Sequence, residues 1–291
     1  MSALDLLNLG PLMDRTQGRP EVIVGLIDGP VMMENPQMWS SAVRYLDSGL
    51  AARCAVSASE ACKHGTLVAG ILSAKRGSPA PAICPECTLL VRPIFPEFVL
   101  GGEQWPGTSA HELAKAIVEA VKAGARVLNL SVDLLAPSSG GERQLSEALN
   151  YAAAAGAIAV VAAGNQGLVG SSALTRHPWV IPVIACGESG EPLAISNLGA
   201  SMATRGVRAP GENITSIGAD GAPGTFSGTS AAAPFVSGAA ALLWSLFPRA
   251  TATAIKLALT RFQARRPLTL VPPLLDAWAA YRNLAGTPMR A

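Results

Sequence analysis

The feature that most constrains the fold is a regular alternation of short apolar runs and amphipathic stretches along the chain. The apolar runs are hydrophobic on both faces, which is typical of strands in a parallel sheet that is covered by helices on both sides. The alternation therefore predicts an α/β fold with a parallel sheet sandwiched between helices. The predicted strands are 22–27, 88–94, 127–131, 157–162 and 180–186, and the predicted helices are 66–74, 110–122, 142–155, 230–246, 251–262 and 274–283.

A single domain is expected over residues 1–291, because no Pro/Ser/Gly-rich linker and no internal repeat divides the chain. Residues 1–20 are expected to form an N-terminal extension, and residues 264–291 a C-terminal helical tail packed on the domain. Hydrophobic residues make up 49% of the chain and charged residues 14%, which is the composition of a compact protein with a large core.

Charge and hydropathy exclude several classes of partner. The net charge is only +2 and no long basic run is present, so neither a nucleic acid nor an anionic membrane is expected to bind. The longest apolar stretch, 231–247, is interrupted by Pro234, which disfavours a membrane span. Residues 1–5 lack the positive start and apolar core of a secretory signal, which predicts a cytoplasmic location.

Five cysteines leave several interpretations open. Cys84 and Cys87 form a C-x-x-C pair, and Cys54 and Cys62 lie close together upstream. The four residues could form local cross-links that brace loops, bind zinc, or remain free thiols, and the C-x-x-C pair could be a redox site. Cys186 lies in an apolar strand pattern, which predicts a small core residue.

Four short motifs occur in order and are centred on Asp28, His64, Asn165 and Ser230; they are GLIDG, HGTLVAG, AAGN and GTSAAAP. Asp28 and Asn165 follow predicted strands, and ligand sites of parallel sheets lie at the carboxyl ends of their strands. His64 and Ser230 are each expected at the start of a helix. Taken singly, each motif is weak, because Asp and Ser often cap helices or turns.

Together, these motifs resemble the subtilase family of serine peptidases from about residue 22 to at least residue 243. The resemblance implies a subtilisin-like fold and an endopeptidase that acts through an acyl-enzyme. It assigns Asp28, His64 and Ser230 as the catalytic triad. Ser230 would be the nucleophile, His64 its base and Asp28 the group that orients the imidazole. Asn165 would donate its amide to the oxyanion, with the Ser230 N–H as the second donor.

The resemblance also implies four substrate-binding residues, which are Ser131, Asp133, Gly164 and Trp105. Ser131 and Asp133 fall where the family has the strand that pairs with the substrate backbone. The family usually has glycine at the position of Asp133, so a carboxylate there predicts a preference for a basic residue in the substrate. The alternative is a solvated loop aspartate. Trp105 falls on the opposite rim of the cleft, where it would pack on a substrate side chain or cover the following helix.

Some residues depart from the common family pattern. Asp28-Gly29-Pro30 replaces the usual Asp-(Ser/Thr)-Gly, and Ala231 and Phe235 stand where the family often has Met and His. None of these changes removes a catalytic atom. The sequence DGPV that begins at Asp28 resembles a smaller branch, the proteases that cut leader peptides in cyanobactin-like ribosomal peptide pathways. The predicted substrate is therefore a peptide or precursor peptide. An intracellular processing role is expected separately, because no secretory signal is seen and the stretch before Asp28 is too short for a folded pro-domain.

Two other functions compete with hydrolysis. Macrocyclising relatives transfer the acyl group to an amine, but they carry a helical insertion near the cleft, and no such segment is evident between Asp28 and His64. A peptide-binding pseudoprotease would lack a triad or oxyanion residue, and none is missing. No cofactor is expected, since no Asp/Asn cluster has the spacing of a calcium loop, although calcium ligands from backbone carbonyls leave no such pattern. The sequence does not determine the oligomeric state.

Overall fold

A seven-stranded parallel sheet lies at the centre of the protein and confirms the predicted α/β fold. The computed structural model describes residues 2–39, 42–47, 53–97, 108–132, 139–261 and 269–286. The strands of the sheet are β1 (Ile23–Asp28), β2 (Val43–Tyr45), β3 (Thr88–Pro93), β4 (Val127–Leu130), β5 (Ile158–Ala162), β6 (Ile181–Cys186) and β7 (Val207–Pro210).

Strand β1 lies at the point where the strand order of the sheet reverses. The order is β2-β3-β1-β4-β5-β6-β7, so the chain builds one side of β1 first and then returns to build the other. Ile27 on β1 pairs with Leu130 on β4, and Leu130 pairs with Val161 on β5. Asp28 and Ser131, which come next on their strands, therefore reach the same carboxyl edge of the sheet. This edge is where ligand sites form in doubly wound sheets.

Helices cover both faces of the sheet, and a short hairpin forms a separate two-stranded sheet. The hairpin consists of β8 (Ile214–Ile217) and β9 (Pro223–Phe226). The helices are α1 (Ala3–Leu6), α2 (Gly10–Met13), α3 (Glu60–Ser73), α4 (Ala110–Lys122), α5 (Ser139–Ala154), α6 (Ala173–Arg176), α7 (Ala200–Arg205), α8 (Thr229–Leu246), α9 (Ala252–Thr260) and α10 (Ala277–Gly286).

Two hydrophobic cores lie on the two faces of the sheet, because successive side chains of a strand point to opposite sides. Val24 and Leu26 belong to the core that contains α3 and α8, whereas Ile27 and Leu128 belong to the core that contains α4 and α5. Helix α8 is apolar and long enough, by composition alone, to cross a membrane, but 89% of its residues are buried inside the domain. It is therefore the central core helix, and its tight packing fixes the residues at its N-terminal end.

The structure corrects the predicted start of α3. The helix begins at Glu60, not at residue 66, and Ser59 caps it by accepting a hydrogen bond from the Cys62 N–H at 3.1 Å. His64 therefore lies in the second turn of α3, and the prediction that it starts the helix was wrong. The predicted strands do not include β2, β7 or the β8–β9 hairpin, and the last helix begins at Ala277 instead of residue 274.

The five cysteines comprise one disulfide-bonded pair and three free thiols. Cys54 and Cys62 form a disulfide, which ties the loop before α3 to the first turn of that helix and confirms the loop-bracing interpretation for this pair. Because the disulfide uses both thiols, the four cysteines cannot form one zinc site. Cys84, Cys87 and Cys186 are free and buried, and burial raises the pKa of Cys186 to about 11, as expected for a small core residue.

Replacing Cys54 and Cys62 by serine should lower the free energy of unfolding by about 2–3 kcal/mol, because the disulfide removes loop entropy from the unfolded chain. Urea unfolding of both proteins, each with and without a reductant, measures this change. The reductant should lower the midpoint of the parent protein and leave the midpoint of the double variant where it was. If the reductant left the urea midpoint of the parent protein unchanged, the prediction would be contradicted.

Candidate active site

Asp28 and His64 form the best-defined contact at the carboxyl edge of the sheet. Nδ1 of His64 lies 2.6 Å from Oδ1 of Asp28, which also accepts the Gly29 N–H at 2.6 Å. Asp28 is fully buried and His64 is 8% exposed. Because a carboxylate can only accept, Nδ1 must carry the hydrogen of this bond, which leaves Nε2 of the neutral ring as the basic nitrogen.

Two glycines allow this contact. A Cβ atom on Gly29 would collide with the backbone of Ala61 on α3, and one on Gly65 would lie 2.5 Å from the carbonyl oxygens of Gly29 and Pro30. The end of β1 and the second turn of α3 can therefore approach only because both positions lack a side chain. This close approach brings the histidine to the aspartate.

Ser230 is the second residue of α8 and is half-buried. At this position it has the partial positive field of a helix N-terminus and a backbone N–H without an intrahelical acceptor. The residue before the helix, Gly228, has a φ of 122°, a conformation that favours glycine, and a Cβ atom there would lie 2.9 Å from Nδ2 of Asn165. The predicted placement of Ser230 at a helix start agrees with the structure.

Asn165 is held by the residue next to Ser230. Its Oδ1 accepts hydrogen bonds from the Thr229 N–H at 2.8 Å and from the Thr229 hydroxyl at 3.0 Å. Thr229 in turn accepts the Gly164 N–H at 3.1 Å. With its oxygen engaged twice on this side, the side chain of Asn165 presents its amide NH₂ away from Thr229. Two hydrogen bonds thus join the side chain of Asn165 to Thr229, the first residue of α8.

The structure describes two of the four residues that were predicted to bind substrate. Gly164 lies beside Asn165 with a φ of 102°, and the contacts of its backbone N–H with Thr229 place it at the site. Ser131 is only 3% exposed, and its hydroxyl donates to the backbone carbonyl of Ser230 at 3.4 Å, so its side chain points into the protein and only its backbone can meet a substrate. Asp133 and Trp105 lie outside the described residues, and their roles stay predictions.

Sequence reasoning missed three residues at this edge. Thr229 was part of a quoted motif, but its role depends on a contact with a residue 64 positions away. Asn197 accepts the backbone N–H groups of Gln166 and Leu168 at 3.2 and 3.0 Å and so fixes the loop after Asn165. Phe226 on β9 contacts the ring of His64 edge-on, with 6.0 Å between the ring centroids. No local sequence pattern indicates the last two contacts.

A cavity of about 420 Å³ adjoins the Asn165 loop. Its lining mixes apolar and polar side chains, and at its rim Leu168 and Val169 are 61% and 75% exposed. Exposed apolar side chains that are adjacent to a concave site mark a surface for binding. The lining includes Val132, Ala162, Ala163, Gly164, Gln166, Leu168, Val169, Leu174 and the ion pair of Glu142 with Arg176.

The order Asp, His, Ser along the chain, on a parallel α/β sheet, is that of the subtilisin-type serine peptidases, and it differs from the orders used by chymotrypsin and the α/β-hydrolases. A family model supports this class independently, since the model described as "Subtilase family" matches residues 20–268. The chain belongs to the subtilase family.

Curated relatives agree with this membership. Mycosin-3 of Mycobacterium tuberculosis is 32% identical over 250 residues, which cover 68% of this chain and 54% of the relative. Subtilisin E of Bacillus subtilis is 30% identical over 190 residues, covering 64% of this chain and 46% of the relative. The chain spans about half the length of the curated relatives it matches.

Solved structures extend the similarity over nearly the whole chain. The prenylagaramide maturation protease PagA superposes with a TM-score of 0.82 at 28% identity, covering 96% of this chain and 99% of that one. The patellamide maturation protease PatA superposes with a TM-score of 0.76 at 28% identity, covering 92% and 98%. At 22% identity the PatG macrocyclase shares the fold, with a TM-score of 0.80 and coverage of 96% of each chain.

Proposed function

We propose that this protein is a serine endopeptidase that hydrolyses peptide bonds through an acyl-enzyme and matures a precursor peptide. One observation carries the catalytic part of the proposal: the 2.6 Å contact between His64 and a fully buried Asp28, at the edge of the sheet where Ser230 lies in the first turn of α8. A histidine with a purely structural role would not need a buried carboxylate at this edge, and a solvated aspartate would not be fully buried.

The proposed reaction begins at Ser230. A serine hydroxyl is a poor nucleophile until a base takes its proton during attack, and Nε2 of His64 is the basic nitrogen left by the contact with Asp28. As the imidazole becomes positive, the buried carboxylate of Asp28 stabilises the charge. His64 then gives the proton to the leaving amine, and a water molecule activated by the same base releases the acyl group from Ser230.

The proposed oxyanion donors are the Asn165 amide and the Ser230 N–H. Both would meet the negative charge that forms on the substrate carbonyl oxygen during attack. The two hydrogen bonds from Thr229 hold the Asn165 side chain before substrate arrives, so its amide need not reorganise during the reaction. Fixed donors of this kind stabilise the transition state more than the ground state.

Two observations support a peptide substrate and a maturation role. The cavity beside Asn165 has a mixed lining and an exposed apolar rim, which suits a peptide side chain next to the bond that is cut. PagA and PatA, which this chain matches almost end to end, carry the words "maturation protease" in their names. A precursor peptide is the substrate that this similarity favours.

Hydrolysis is favoured over acyl transfer. The described residues between β1 and α3, which are 29–39, 42–47 and 53–59, contain the short strand β2 and no α-helix. Among these residues, nothing corresponds to the helical insertion expected of a macrocyclising relative. Water is therefore the acceptor in the proposed reaction.

A two-stage experiment tests the proposal. In the first stage a fluorophosphonate probe should label the purified protein, since the probe reacts only with an activated serine, and Ser230→Ala should remain unlabelled. In the second stage, precursor peptides that contain a leader and a core should be cut at one position between the two, as followed by mass spectrometry. Absence of labelling would contradict the peptidase. If precursor peptides and unfolded casein were each cut at many positions and at similar rates, only the maturation role would be contradicted.

A further inference from the structure

Helix α8 contains a proline one turn after its catalytic serine. In an α-helix the backbone N–H of residue i+4 donates to the carbonyl of residue i, so the residue that would donate to Ser230 is Pro234. Proline has no N–H. The carbonyl of Ser230 therefore lacks its usual donor within the helix and needs one from outside, because buried carbonyls are rarely left unpaired.

The donor comes from the neighbouring strand end. The Ser131 hydroxyl donates to the Ser230 carbonyl at 3.4 Å and accepts a hydrogen bond from Nδ2 of Asn129 at 2.9 Å. Oδ1 of Asn129 accepts a hydrogen bond from the Ser237 hydroxyl at 2.8 Å. Asn129 and Ser237 are fully buried, and Ser131 is 3% exposed. We call this path of hydrogen bonds the Ser237–Asn129–Ser131 chain.

The Ser237–Asn129–Ser131 chain is attached to α8 at Ser230 and at Ser237. It is attached to the neighbouring strand at Asn129 in β4 and at Ser131 directly after β4. Ser230 and Ser237 lie seven residues apart, which is about two turns, so both are on the same face of the helix. Asn129 and Ser131 lie two residues apart and so are on the same face of the strand path. Two points of attachment fix both the rotation of the helix and its register along the strand. In a buried, low-dielectric setting such directional bonds are strong constraints.

Ser237 differs in this respect from the other buried serine of the helix. The Ser245 hydroxyl donates to the carbonyl of Ala241 in its own helix at 2.8 Å and lies 3.7 Å from the Cys87 thiol, a contact that does not lead towards Ser230. Ser237 instead donates across to β4, where Asn129 has no other described donor for its side-chain oxygen. Its hydroxyl thus serves a contact between elements, and that contact leads back to the nucleophile.

We propose that Ser237 is a positioning residue for the nucleophile. The Ser237–Asn129–Ser131 chain holds the Ser230 carbonyl and thereby sets the direction in which the Ser230 hydroxyl meets His64. This inference rests on the proposed peptidase function. A displacement of about 1 Å can cost about 10²-fold in rate, so a shift of a few tenths of an ångström, after loss of one hydrogen bond, is expected to slow the reaction about tenfold.

Ser237→Ala tests the inference, with Ser245→Ala as the matched control. Both variants remove one buried hydroxyl from α8, but only Ser237→Ala breaks the path to Ser230. Ser237→Ala should lower kcat and the rate of fluorophosphonate labelling about tenfold with KM unchanged, whereas Ser245→Ala should label at the parental rate. If the path acts as one unit, adding Ser131→Ala to Ser237→Ala should cost little more than the worse single change.

Two results would overturn the inference: labelling of Ser237→Ala at the parental rate, or equal slowing in Ser237→Ala and Ser245→Ala. A parental protein that cannot be labelled is a different outcome, because it refutes the proposed function. In that event, crystal structures of the parent and of Ser237→Ala decide the positional claim. A Ser230 side chain in the same place and rotamer in both structures would refute it.

Discussion

Replacement of Ser230 or of His64 by alanine is expected to lower kcat by about 10⁶-fold, the size of the loss found when the same triad residues are removed from a subtilisin. Without the hydroxyl no acyl-enzyme forms, and without the imidazole no base takes the proton of Ser230. Because the two groups act in one step, the double variant should be no slower than the slower single variant. The measurement is steady-state hydrolysis of a peptide with a fluorogenic leaving group.

Ser227→Ala is a matched control for this result. Ser227 is exposed, lies three residues before Ser230, and accepts the backbone N–H of Asn213 at 2.9 Å. Its loss should change kcat little, since no reacting atom depends on it. Ser230→Ala that unfolds at the parental temperature and still hydrolyses the peptide at the parental rate would remove Ser230 from the mechanism.

Asn165→Ala is expected to lower kcat by about 10²–10³-fold while KM stays nearly constant, a loss of the size known for the corresponding donor of a subtilisin. The amide meets charge that exists only in the transition state, so the bound substrate does not gain from it. Full kinetic curves separate the two constants. A variant with a raised KM and an intact kcat would make Asn165 a substrate-binding residue instead.

Thr229→Val tests the same arrangement without removing the amide. Valine keeps the shape of threonine but loses the hydroxyl, which donates to Oδ1 of Asn165 at 3.0 Å and accepts the Gly164 N–H at 3.1 Å, while the backbone N–H bond to Asn165 at 2.8 Å remains. With one of its two anchors left, Asn165 should be less well held, and the loss in kcat should be smaller than that of Asn165→Ala. An equal or larger loss would show that Thr229 acts in some other way.

The buried strands were the most predictable part of the fold. Runs such as the one that forms β5 are apolar on both faces, and all five residues of that strand are buried. In contrast, β2 has the half-exposed pattern of an edge strand, and β9 is only half-buried, so neither has a continuous apolar run. Short strands of this kind are fixed by their neighbours, and their own sequence carries little signal.

The candidate site shows the same limit. Asp28, His64, Asn165 and Ser230 could be predicted, because each belongs to a motif with a recognisable order. Thr229 and Ser237 could not be assigned roles, because their partners lie 64 and 108 residues away and only the folded chain brings them together. The start of α3 was missed because it is set by the Ser59 cap and by the disulfide, a contact that only the folded chain shows.

The division between sheet-bound catalytic groups and surface loops bears on how this protein can evolve. Asp28, His64 and Ser230 are held by buried strand ends and helices, whereas Leu168 and Val169 lie exposed on a loop. Loops tolerate substitution far better than buried elements do. Under the proposed function, mutations in this loop can therefore alter substrate choice while the reacting groups stay in place. Selection could then change the choice of peptide without rebuilding the chemistry.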